Sequence, residues 1–179
     1  MKRTLMTLAV LALTTRAAWP DDTEGLWKGY EGEWGHVSRQ LVALAEATPD
    51  DKFNWRPSPG VRSVSEVYMH IALANFYLLS VTGPQMPAEI KSNEMEKTVT
   101  SKPQVIDWLK RSLDAVKTAR SQLKPGDLQK KVTIAKQTAD VDGMYLRIIV
   151  HANEHMGQQI AYARTMGLTP LTQKVIFSS

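Results

Sequence analysis

The chain has no cysteine. That excludes disulfides, thiolate metal ligands, a cysteine nucleophile and a lipid-modified cysteine at a processed N-terminus. Any bound metal must be held by imidazoles, carboxylates or water. Histidine is scarce as well, with 4 in 179 residues. No Lys/Arg run with interleaved aromatics is present, so nothing points to a nucleic-acid surface. Internal repeats, low-complexity tracts and convincing strand alternation are also missing.

What is present begins with a leader-like stretch. Lys2 and Arg3 precede an apolar run from Leu5 to Leu13, and small residues follow at Ala17 and Ala18. The run falls well short of the about 20 residues a spanning helix needs. Residues 1–18 therefore read as a secretory signal, which leaves an exported mature chain in a periplasm or outside the cell, with no stable membrane anchor. Residues 22–179 read as one domain. The formal charge of +4 owes most to the leader: the 22 basic residues fall to 19 once Lys2, Arg3 and Arg16 are removed, against 18 acidic ones. Apolar content of 43% and charged content of 22% suit a globular protein with a real core.

Periodicity predicts four helices. The first runs from about Thr23 to Ala47, with Trp27, Tyr30, Trp34, Val37, Leu41 and Leu44 on its inner stripe and His36 off it, at solvent or a groove edge. Prolines 49, 57 and 59 and Gly60 then forbid helix, and Phe53 and Trp55 pack over a helix end or line a pocket mouth. Ser63 and Glu66 form a capping-box signature for a second helix to about Val81, with His70 on the border of its stripe. Residues 83–100 form an aperiodic crossover. Ser101 to Gln104 offers a second capping box, opening a third helix to about Leu123 that turns Val105, Trp108, Leu109, Leu113 and Val116 inward. The stretch 127–138 is ambiguous between an extended piece and a frayed turn. The fourth helix starts near Thr138–Val141 and ends at Gly167, a residue suited to the left-handed turn after a helix. The expected fold is all-α: a four-helix bundle with long connections after helices 1 and 2.

The fourth helix carries His151-Ala-Asn-Glu-His155-Met-Gly-Gln158. Residues four apart lie on one face, about 6 Å apart along the axis. Met144, Ile148, His151, His155, Gln158 and Tyr162 follow the spacing of a buried stripe. Buried imidazoles need partners. One possibility is a divalent metal shared with His70, for which zinc and nickel are the best-matched ions. The other is ordinary hydrogen bonding to Gln158 or to backbone carbonyls. Glu66 and Glu154 are candidate acceptors for imidazole N–H groups, and Trp55, Tyr77 and Tyr162 are candidate pocket walls. His151 to His155 also matches H-x-x-E-H, the inverted zincin pattern with Glu154 as base. That reading fails. Such peptidases need a distal acidic ligand, few residues follow His155, and Glu154 projects to one side of both histidines.

Two stretches carry a family resemblance. NWRPSPGVRSVSEVYMHIALAN, ending at Asn75, and HANEHMGQQIAYARTMGLTP, from His151 to Pro170, are similar in content and order to the DinB-like (DinB/YfiT-like) superfamily of four-helix-bundle proteins. The resemblance covers nearly all of the mature chain. It implies a His70, His151 and His155 triad binding a divalent cation, and often a homodimer. It does not fix an activity. Some members resemble thiol-dependent S-transferases or maleylpyruvate isomerases, whereas an export signal argues against a cytoplasmic thiol. The expectation is a metal-dependent transferase or hydrolase acting on a small molecule. The alternative is a non-enzymatic metal-binding or stress-related bundle.

Overall fold

The computed structural model describes residues 28–168, so Trp27 and the leader lie outside the described residues. Four long helices make up the bundle: α1 (Gly29–Ala47), α2 (Val64–Ser80), α4 (Lys102–Ser121) and α5 (Val141–Thr165). A short α3 (Met95–Thr98) sits in the crossover, and a hairpin of β1 (Lys131–Ile134) and β2 (Gln137–Asp140) precedes α5. Among the described residues no helix is long and apolar enough to cross a membrane.

α2 is the central helix and packs against α3, α4 and α5. It is buried on most of its surface, including Val67, Tyr68, Met69, Ile71, Ala72 and Phe76. Each such side chain contributes roughly 1.5–3 kcal/mol by leaving water. The polar atoms this burial traps are largely paired across helices. Trp34 Nε1 donates to the Leu113 carbonyl at 3.2 Å. Asn75 donates to Ser112 Oγ, which donates in turn to the Leu109 carbonyl. Gln159 Nε2 donates to the Val64 carbonyl at 2.8 Å, which ties α5 to the start of α2.

Helix ends explain where the chain turns. At α2 the capping box forms as the sequence predicts: Glu66 N–H donates to Ser63 Oγ, and Ser63 N–H donates to Glu66 Oε2. Two more leading N–H groups, of Val64 and Ser65, donate to the carbonyls of Trp55 and Phe53. The proline-rich loop thus closes the helix it precedes, with Phe53 buried beneath it. α5 begins on the Asp140 carboxylate, which accepts from Gly143 N–H. It ends with Gly167 at φ 77°, while Gly167 N–H donates to Arg164 and Leu168 N–H to Ala163, a Schellman closure.

Three expectations are corrected, and one left open is decided for the extended alternative. His36 is buried, at 7% exposure, because α1 packs against both α4 and α5 and its inner arc is wider than one stripe. At α4, Ser101 donates to the Gln104 side chain and caps no backbone N–H, so the second capping box does not form. The crossover contains α3. Residues 131–140 form an antiparallel hairpin in which Val132 faces Ala139 and Ile134 faces Gln137. Its turn places Ala135 and Lys136 at φ 48° and 65°. Tight hairpin turns of this kind favour Asn-Gly or Asp-Gly, so Ala-Lys gives no sequence signal.

Candidate metal centre

The middle of α5 faces the first half of α2, and there the three histidines meet. His151 and His155 stand one turn apart on α5, and His70 stands opposite on α2. The ring centroids form a near-equilateral triangle with sides of 5.0, 4.7 and 4.6 Å. One nitrogen from each ring lies within 4.8 Å of the others, and all three residues are half-buried. The stripe predicted from Met144 to Tyr162 is buried at both ends and open at its centre, where the histidines and Gln158 lie.

Hydrogen bonds fix which ring nitrogen faces inward. His70 Nδ1 lies 2.9 Å from Glu96 Oε2. A carboxylate only accepts, so Nδ1 carries the proton and Nε2 keeps a lone pair. His155 is set by a longer relay. Tyr162 donates its hydroxyl proton to the Arg62 carbonyl at 3.1 Å, so its oxygen accepts from Gln158 Nε2 at 2.8 Å. That turns Gln158 Oε1 toward His155 Nδ1 at 2.9 Å, which must then donate. His155 Nε2 is left with a lone pair as well. His151 Nε2 stands 3.1 Å from His70 Nε2, and its Nδ1 is buried with no hydrogen-bond partner.

Burial and neighbouring charge favour the neutral form of His151 and His70. Burial, followed by mutual repulsion with His155 and His70, pushes His151 down to about 4. Burial also lowers His70, outweighing the opposing pull of Glu96. Neutral imidazoles are the form that ligates metals. Two nitrogens bound to one ion at about 2.1 Å in tetrahedral geometry stand roughly 3.4 Å apart. The His70–His151 separation already matches that value, and half-buried rings leave a side for a further ligand. The donor set, its tautomers and the unpartnered His151 nitrogen fit a divalent cation.

The other predicted site residues fall into place around this centre or away from it. Gln158 links His155 to Tyr162. Glu66 is occupied elsewhere: Arg56 grips it with two nitrogens at 2.9 and 3.1 Å, and it caps α2. Burial pushes the Glu66 carboxyl up, but Arg56 and the Ser63 N–H outweigh it and hold the carboxyl low. Glu154 is exposed and paired with Arg147 at 2.7 Å. Trp55 is half-buried and meets Tyr162 edge to face at 5.4 Å. Tyr77 is 51% exposed and walls nothing. Sequence reasoning missed Glu96, on α3, which bridges His70 and Arg62. A ligating histidine wants a carboxylate on its far nitrogen, but nothing in an aperiodic crossover with acids at 89, 94 and 96 singles out the one that folds back.

Comparison with known proteins identifies the fold and the family. None of the curated proteins matches the sequence. The crystal structure of a DinB-like protein from Bacillus cereus shares the fold, with a TM-score of 0.70 at 23% identity, over 80% of this chain and 94% of that one. A family model described as DinB superfamily matches residues 33–159. With that match over most of its length, the chain belongs to the DinB superfamily.

Proposed function

We propose that the protein is exported and binds one divalent metal, zinc or nickel, through His70, His151 and His155, and that the centre serves a metal-dependent transferase or hydrolase reaction on a small molecule. The observation that carries this is the tautomer pattern: Glu96 and Gln158 each take an outward Nδ1 proton, so His70 and His155 each keep an Nε2 lone pair that a shared cation could take. A bound ion would supply Lewis acidity toward a nucleophile or a polarised substrate oxygen. The chain's own residues supply the rest. Glu96 and Gln158 hold the rings in place, and the half-buried rim admits a ligand.

One observation favours the non-enzymatic alternative. Two surface grooves, of about 530 and 410 Å³, run along α4 beside α2 and beside α1, and neither is lined by a triad residue. The homodimer implied by the family resemblance is supported by Leu146 and Val150, which are exposed one turn apart on α5. Metal analysis of gently purified protein, with His151→Ala as control, tests the main reading. One equivalent of metal in the parent and none in the variant is expected. Only trace metal in the parent, unchanged after reconstitution with zinc or nickel, contradicts it.

A further inference from the structure

The loop before α2 carries two arginines with opposite fates. Arg56 is saturated: its Nη1 donates to the Val61 carbonyl at 2.7 Å, and both Nη atoms donate to Glu66. Arg62 has one side-chain partner, Glu96, which it meets through Nε. Its two Nη atoms have no partner among the described residues, and its side chain is 42% exposed. Yet its backbone is held at three successive points. The Val61 carbonyl accepts from Arg56, the Arg62 carbonyl accepts from Tyr162, and Ser63 N–H donates to Glu66. A chain fixed so closely delivers the guanidinium in a set direction, at little entropic cost on binding. Because Glu96 joins Arg62 to His70, the open edge of Arg62 is one carboxylate away from the imidazoles.

Charge points the same way. Arg56 cancels Glu66 and Arg147 cancels Glu154. Arg62 offsets Glu96, so a divalent cation held by the three histidines would leave the rim positive. Two parallel N–H groups on a planar edge match the two oxygens of a carboxylate.

We propose that Arg62 is a recognition residue for an oxyanion, and that the small molecule taken by the centre carries a carboxylate. The proposal rests on the metal-binding reading above and names the ligand class for it. Arg62 grips the carboxylate through its Nη edge while the rest of the ligand faces the imidazoles.

The test is a calorimetric titration of zinc-loaded protein with acetate and, separately, with inorganic phosphate. Arg62→Gln and Arg62→Lys are compared with the parent. Zinc affinity of each protein is measured independently by chelator competition. Acetate binding is expected to weaken at least about tenfold in Arg62→Gln, and by less in Arg62→Lys, which keeps the charge and loses the fork. Zinc affinity should stay within about threefold in both. Equal acetate affinity in parent and Arg62→Gln overturns the proposal. So does a parallel fall in zinc affinity, which would make Arg62 a support for Glu96. Phosphate binding as tight as acetate overturns the carboxylate class. If the parent binds no zinc, the metal reading fails separately, and acetate titration of the metal-free protein decides on Arg62 alone: dependence on Arg62 upholds its role and independence ends it.

Discussion

Two clusters of polar rings lie between the helices, and they treat burial differently. In the histidine cluster two of the outward nitrogens meet a dedicated side chain, Glu96 or Gln158, and the inner nitrogens are left facing one another. In the second cluster Arg120 lies 5.2 Å from the Tyr30 ring and 5.4 Å from the Tyr145 ring, which themselves meet edge to face at 5.5 Å. There the charge is met by ring faces, with Glu31 a distant ion partner at 3.9 Å, and the Tyr30 and Tyr145 hydroxyls have no hydrogen-bond partner among the described residues. Burial, then the neighbouring Tyr145, raises the Tyr30 phenol well above its usual range, so the ring stays neutral at any ordinary pH. The tyrosine cluster brings its own cation, which the two ring faces meet. The histidine cluster gathers lone pairs and has no cation of its own at its centre. On the proposed function, the difference separates a structural feature from a binding one.

Mutations break this contrast most clearly at the triad. His155→Ala removes a ligand. Structural zinc sites bind with about 10–16 kcal/mol over four ligands, so roughly 3–4 kcal/mol, or a few hundredfold in zinc affinity, should be lost. Chelator competition measures it. The variant should still fold, since the ring is half-buried at the rim. Glu96→Gln keeps the shape and loses the carboxylate behind His70. Zinc affinity should fall about 10–100-fold, with little change in the circular dichroism spectrum.

Arg120→Met acts on the other side of the comparison. It should lower unfolding free energy by about 1–2 kcal/mol, read by urea denaturation, because a desolvated cation loses two aromatic faces. Zinc affinity should not change. A fall in zinc affinity with Arg120→Met would mean that the two clusters are coupled. The smallest effect is expected of Tyr162→Phe. Losing the hydroxyl breaks the relay to Gln158 and should cost about 0.5–1.5 kcal/mol of stability, with a slight weakening of zinc binding.

The long helices and their ends were readable in the sequence because they are local. Ser63 and Glu66 make their cap within four residues, and Gly167 closes α5 within the last turn. The grouping of His70 with His151 and His155 was readable because stripes on two helices pointed to one interior and the family resemblance supplied the pairing. Glu96 was not, since its contact with His70 spans 26 residues of a segment without periodicity. The relay through Gln158 was half legible. Its spacing put Gln158 and Tyr162 on the histidine face, but only the fold shows that the Arg62 carbonyl ends the chain and so fixes the His155 tautomer. The hairpin was hidden because its turn lacks glycine and none of its strand residues is fully buried.

The shared role of the three imidazoles is tested most directly by X-ray absorption of the zinc-loaded protein. Three imidazole nitrogens at about 2.0–2.1 Å, with one oxygen ligand completing the shell, are predicted. A shell of oxygens, or one with fewer than three imidazoles, would contradict a triad centred on His70, His151 and His155.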